Sequence, residues 1–150
     1  MLNSSFSLTG KLVVTLTDEN GVVKDVRNIN NLVVTVGKQF IASLLSSTPQ
    51  TQMNHMAVGT GTTTPTLADT LLQTEIGTRV TITNAWVSGT QMVSYGATFG
   101  PGNGTGALTE AGIFNSGTAN AGVMLAHTAF SAVNKGAGDT ISVAWTVTVS

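Results

Sequence analysis

Apolar and polar residues alternate most cleanly in "DTISVAWTVTVS", where Ile141, Val143, Trp145, Val147 and Val149 take every second position between Ser142, Ala144, Thr146 and Thr148. A period of two sends successive side chains to opposite faces, so the segment predicts a half-buried β-strand. "GKLVVTLTD" repeats the pattern with Leu12, Val14 and Leu16. Asn20-Gly21 follows, a dipeptide favoured in tight hairpins because both central residues need positive φ. It predicts a hairpin of residues 11–17 with 22–27. Farther on, "RVTITNAW" puts Val80, Ile82 and Trp86 on one face, and "QMVSYGATF" does the same with Val93, Tyr95, Ala97 and Phe99. "MNHMAVGTG" predicts a strand ending at Gly59, while "ALTEAGIF" and "VMLAHTAF" supply two more.

Helical spacing occurs in "TVGKQFIASLLSSTP", where Val36, Phe40, Ile41, Leu44 and Leu45 form one stripe. Thr35 is the expected cap, Gly37 weakens the first turn and Pro49 lies beyond the end. "TTTPTLADTLL" is expected to be a loop that leads into one helical turn. A parallel α/β fold would need a helix after most strands. Strands at short spacing with Gly, Asn and Ser turns instead predict a mainly β fold, an antiparallel β-sandwich with the short amphipathic helix packed on it. Residues 1–8 form an expected N-terminal arm and 9–150 the single sandwich domain.

Composition sharpens this picture. The 150 residues include no cysteine, so neither disulfides nor thiolate metal sites hold the fold. Only 9% are charged, far below the usual quarter, and Thr, Ser, Asn and Gly take their place. The net charge is −1 and the six basic residues (Lys11, Lys24, Arg27, Lys38, Arg79, Lys135) are scattered, which speaks against nucleic-acid binding by counterion release. So few charges leave little repulsion between copies, as suits a protein living in an assembly. No apolar run is long enough to span a bilayer, and no signal peptide is expected.

Catalytic chemistry finds little purchase. "FGPGNGTGALTEAGIF" is rich in glycine, but a phosphate loop needs converging amides at a helix N-terminus and usually a Lys. The stretch has no Lys or Arg, misses both G-x-x-x-x-G-K-[ST] and G-x-G-x-x-G, and continues as a strand. Glu110 stands alone between Leu108 and Ile113, where a buried carboxylate must be paired or hydrogen-bonded. It could be a general acid or base raised by burial. The structural alternative has it accept loop amides or pair with Arg79, so that Glu110 and Arg79 tether the glycine loop. His55 and His127 lack metal-ligand spacing, and His127 shares parity with Val123 and Leu125, as expected of a satisfied, partly buried histidine. Trp86, Trp145 and Tyr95 fit strand faces, where core packing is expected ahead of stacking on a base or sugar. No catalytic residue, metal or cofactor is expected.

One likeness runs from Asn31 to Ser150. "NNLVVTVGKQFIASLL", then "AVGTGTTTPTLADTLLQTEI" with a following "RV", then "GALTEAGIFN", then "MLAHTAFSAVNKGAGDTISVAWTVTVS" resembles, in this order, a group of small tailed-bacteriophage virion proteins. The shared features are G-T-G-x-x-x-P-x-x-x-D-T-x-L, T-E-[AV]-G-[IL]-F and a terminal alternating strand with Trp. The resemblance implies a non-enzymatic structural protein of the particle. A capsid decoration (cement) protein on the major capsid protein lattice is expected, and a tail-fibre or adsorption component that binds the host surface is the alternative. It further implies self-association, with a homotrimer expected, manufacture in the host cytoplasm and residence on the virion's capsid surface, without nucleic-acid or membrane partners. The expected interaction surface comprises Phe6 on the arm, Gly59, Thr62, Pro65 and Leu67 on one loop, and Pro101, Asn103 and Thr105 on the other.

Overall fold

The computed structural model describes residues 5–150. Nine strands and one helix follow in chain order: β1 (Leu8–Thr17), β2 (Val23–Val33), α1 (Thr35–Leu45), β3 (His55–Gly59), β4 (Glu75–Thr81), β5 (Thr83–Trp86), β6 (Met92–Phe99), β7 (Gly106–Phe114), β8 (Met124–Lys135) and β9 (Thr140–Val149). The fold is mainly β, as the alternation predicts. Every neighbouring pair is antiparallel, in the order β4-β3-β7-β8-β2-β1-β9-β6-β5.

β4 and β5 stand at opposite margins of that order, yet only Ile82 separates them in the chain. The polypeptide therefore steps from one margin to the other in a single residue, and the sheet nearly closes on itself. The "RVTITNAW" run is thus two strands bent at a buried Ile82, whose N–H donates to the Asn54 carbonyl at 2.9 Å. A second bend lies in β2, which pairs with β1 as far as Asn31 and with β8 only at Leu32 and Val33.

The nearly closed sheet surrounds the core. Leu12, Val14 and Leu16 of β1 face inward beside Ile141, Val143, Trp145 and Val147 of β9 and Phe99 of β6, and Met56, Val58, Leu108, Ile113 and Val133 of β3, β7 and β8 fill the opposite wall. Fully burying each such side chain contributes about 1.5–3 kcal/mol. β3 and β7 are buried on both faces, which explains why their sequences lack clean alternation. Ala57 and Phe114 point away from the main core and, with Val34, Leu72 and Met124, form a second cluster beneath the start of α1 and segment 60–74.

The helix departs from its expected details. Val34, not Thr35, is the N-cap, and no side chain caps it. Leu44 and Leu45 are exposed, at 48% and 85%, because α1 meets the sheet through its first half, at Gly37 and Phe40. A Cβ at Gly37 would lie 2.3 Å from the Leu125 carbonyl oxygen, so the glycine that weakens the helix is also what lets it dock. Segment 60–74 contains turns but no helical turn.

Segment 100–105 is a strap. The Asn103 side chain accepts from the Thr78 N–H at 2.8 Å and donates to the Thr78 carbonyl at 2.9 Å, so one amide caps the open margin of β4. From the other side, the Gly102 N–H donates to the Ala137 carbonyl and Lys135 Nζ donates to the Gly100 carbonyl, both at 2.9 Å. Gly77 permits the approach: its φ is +71° and a Cβ there would meet Asn103 Oδ1 at 2.4 Å.

Candidate functional site

Glu110 lies in the middle of β7, opposite Gly59 of β3 and Ala129 of β8, and is 1% exposed. Its outer-face carboxylate is surrounded by donors. Oε1 accepts from the N–H groups of Gly61 (3.0 Å) and Thr74 (2.7 Å), and Oε2 from the Gln73 N–H (2.9 Å) and His127 Nε2 (3.1 Å). Glycine at 59 and 61 makes room, since a Cβ at either would come within 2.5 Å of Glu110 Oε1. The neighbouring Thr109 hydroxyl donates to the Gly61 carbonyl at 2.7 Å. Both ends of segment 60–74 are thus fastened to one point on β7.

His127 is 3% exposed, and its other nitrogen, Nδ1, contacts Asp69 Oδ2 at 2.7 Å. Asp69 in turn accepts from the Thr66 N–H (2.9 Å) and hydroxyl (2.7 Å), which closes a small turn at the tip of the segment. Gln73 Oε1 accepts from the N–H groups of Thr62 and Thr63, both at 2.9 Å. Above the ring lies a shallow pocket of about 180 Å³ lined by Thr63, Thr64, Asp69, Leu71, Gln73 and His127.

The bonding assigns the protons. Glu110 serves amide donors on both oxygens, which favours the anion, so Nε2 must carry a proton. Asp69 likewise serves Thr66, so Nδ1 carries one too. The arrangement favours an imidazolium between two carboxylates. Burial alone would push the Glu110 carboxyl up, yet the His127 bond and the Thr74, Gln73 and Gly61 amides hold it below its ordinary value. Burial opposes the charge on His127, but the hydrogen bonds to Glu110 and Asp69 and the charges of both raise its pKa. At Asp69, partial burial is outweighed by the Thr66 bonds and His127, and the carboxyl is lowered.

Arg79 does not pair with Glu110. Its buried guanidinium forms a two-point ion pair with Glu75, with Nε to Oε1 at 2.8 Å and Nη2 to Oε2 at 2.9 Å. It lies 3.7 Å from the Phe114 ring centroid and donates from Nη1 to the Ser116 and Ala121 carbonyls, both at 2.9 Å. A strand repeat of two puts residues 75 and 79 on the same face, so the local partner wins. Arg79 therefore secures segment 115–123, Glu110 secures segment 60–74, and the glycine strap is held by Asn103 and Lys135 instead. The expectation that Glu110 tethers the strap is corrected accordingly.

The remaining expected surface residues separate into two groups. Gly59 is buried against Glu110, while Thr62 and Leu67 are exposed and Pro65 half-buried on segment 60–74. The Leu67 carbonyl accepts from the Thr35 N–H at 2.9 Å, hooking the segment to the start of α1. On the strap, Pro101 and Thr105 are exposed and Asn103 is half-buried. Gly106, at the end of the strap, approaches Thr60, so the two loops share a root. Phe6 stands at the opposite end of the fold, where Ser7 pairs with Ser150 through backbone bonds of 2.6 and 2.9 Å. It is 64% exposed beside a groove of about 390 Å³ formed with Leu8, Lys38, Ile41, Ala42 and Leu45. The first half of the expected arm, residues 1–4, lies outside the described residues, and Leu8 already belongs to β1.

Trp86, expected on a core face, is 65% exposed because β5 extends past the core. Sequence reasoning missed Asp69, Gln73 and Thr109, whose Asp-Thr and Thr-Glu neighbourhoods are indistinguishable from solvated loop residues. Among the described residues, no three His, Cys, Asp or Glu side chains are disposed to hold a metal ion. Compared with protein-family models, curated proteins and solved structures, the chain finds no match.

Proposed function

We propose that the chain is a non-enzymatic structural protein of a tailed-bacteriophage particle, a capsid decoration protein with a two-layer sandwich body. It binds the assembled lattice of the major capsid protein and neighbouring copies of itself on the virion surface, after synthesis in the host cytoplasm. The order of its sequence segments supports the phage assignment. The observation that carries the binding role is the exposed apolar end: Phe6 and Leu45, 64% and 85% exposed, flank the groove beside α1. Clustered apolar side chains in water mark a surface that a partner covers. The groups that could do acid–base work point the same way, since Glu110, His127 and Arg79 each spend their polar atoms on fastening a loop. A cement protein binds only the assembled shell and so stabilises it by mass action.

Adding the protein back to expanded heads that lack it is expected to raise the temperature at which they rupture. Phe6→Ser is expected to weaken that binding about tenfold or more, the equivalent of about 1.4 kcal/mol or more of lost burial. Heads that neither bind the protein nor gain heat resistance would overturn the reading. Exposed Trp86 favours a second one, a tail-fibre or adsorption component, because an amphipathic ring can stack on host-surface sugar. Antibody labelling of intact particles separates the two by the structure it decorates.

A further inference from the structure

We propose that segment 60–74 is a proton-latched flap: the proton shared between His127 and Asp69 holds its tip against the sheet, and losing that proton frees the tip while the root stays fastened. The latch stands on the geometry of the Asp69–His127–Glu110 row and is independent of the assembly reading.

The root and the tip are held by different groups. At the root, Gly61, Gln73 and Thr74 donate backbone N–H groups to Glu110, which sits on β7 beside β8. At the tip, one side-chain hydrogen bond reaches the sheet among the described residues, Asp69 Oδ2 to His127 Nδ1 at 2.7 Å, while Leu71 and Leu72, toward the root, pack on the second apolar cluster. The tip's other anchor is the bond from the Thr35 N–H to the Leu67 carbonyl. A neutral imidazole carries one proton and can donate to one carboxylate only. The other carboxylate would then face a nitrogen lone pair at hydrogen-bond distance. Glu110 cannot be the one to leave, because it is fixed in a central strand with a side chain 2% exposed, and water cannot replace its lost partner there. Asp69 can. Its side chain is 24% exposed, it rides on a loop, and solvent reaches it through the pocket above the ring.

Few charges complicate the site. Glu110 from β7 and Asp69 from segment 60–74 are the charged groups acting on the ring among the described residues. The segment otherwise presents Thr63, Thr64, Leu71 and Gln73, and β2 places Leu32 opposite His127. α1 meets β8 at Leu125 through Gly37, and its one charged residue, Lys38, lines the Phe6 groove. With Asp69 released, the Leu67 hook is the tip's remaining hydrogen bond to the body of the fold among the described residues, and the tip lifts from it with its internal Thr66–Asp69 turn intact. A local opening of this kind is governed by its own small free energy, separate from that of the whole fold.

Hydrogen exchange on the wild-type protein, corrected for the intrinsic pH dependence of exchange, tests the latch alongside a ring-nitrogen NMR titration of His127. The amide of Thr35, which donates to the Leu67 carbonyl on the tip, is expected to lose protection about tenfold or more across the interval in which the ring loses its proton. Those of Gly61, Gln73 and Thr74 are expected to keep theirs. His127→Gln, which cannot titrate, is expected to abolish the step; if that variant does not fold, the wild-type comparison of tip with root stands alone. Loss of protection at tip and root together would overturn the proposal. So would the absence of any step, or a ring that keeps its proton until the whole fold unfolds.

Discussion

A carboxylate ringed by donors and an imidazole set between two carboxylates titrate in opposite directions, and this fixes how stability follows pH. Glu110 and Asp69 are lowered in the fold, so their contribution is present above their unfolded values and is lost as pH falls through the lowered ones. His127 is raised, so its contribution is complete below its unfolded value and is lost as pH rises through the raised one. Thermal stability is therefore expected to be highest between about pH 4.5 and 6.5 and to fall on both sides. Calorimetry across that range checks it, and His127→Gln is expected to remove the alkaline decline. Glu110 was legible in the sequence as a lone acid in an apolar run. Its partners were not, because Gly61 lies 49 residues away and His127 17 residues away, joined only by strand pairing. The competing choice of Arg79 failed because Glu75, on the same strand face, was closer at hand.

Among the elements, strands whose one face is wet announced themselves through alternation, as β1 and β9 did. β3 and β7, buried on both faces, gave weaker signals, and the bend at Ile82 gave none, since a run of β-branched residues reads the same whether straight or folded. The helix stripe was legible but its contact was not. Leu44 and Leu45 satisfy the period of a buried face, yet the docking point is a glycine, which carries no hydrophobic signal. Here two effects oppose each other. Gly37→Ala gains about 1 kcal/mol of helix propensity. The added Cβ would lie 2.3 Å from a backbone oxygen that cannot swing aside, and such overpacking costs about 1–3 kcal/mol or somewhat more. The clash is expected to win, with a net loss of about 1–2 kcal/mol in urea unfolding. A neutral or stabilised variant would show that α1 can ride up on the sheet at no cost.

For the whole molecule, the strap across β4 is the device that keeps a nearly closed sheet closed. The charged residues of β4, Glu75 and Arg79, are spent on each other and on segment 115–123, and the Asn103 amide blunts the edge at Thr78 instead. Asn103→Ala is expected to cost about 1–3 kcal/mol through two lost hydrogen bonds. It is also expected to cause concentration-dependent association, visible by light scattering. The strand inventory was largely legible, whereas the order was not, because nothing local in β9 says that it lies between β1 and β6. That placement has a consequence for synthesis. Of the nine strands, β9 leaves the ribosome after the others, yet it alone joins β1 to the β5–β6 hairpin. Until residues 140–149 emerge, β1 has only β2 beside it and the hairpin has no neighbour on the β9 side. At about 5–20 residues per second, that wait lasts several seconds or more. The enclosing wall is thus completed late, by the kind of distant pairing that folds in milliseconds to seconds rather than microseconds. A nascent chain stalled before Thr140 would hold the margins of β1 and β6 open in the crowded space where its siblings are being made.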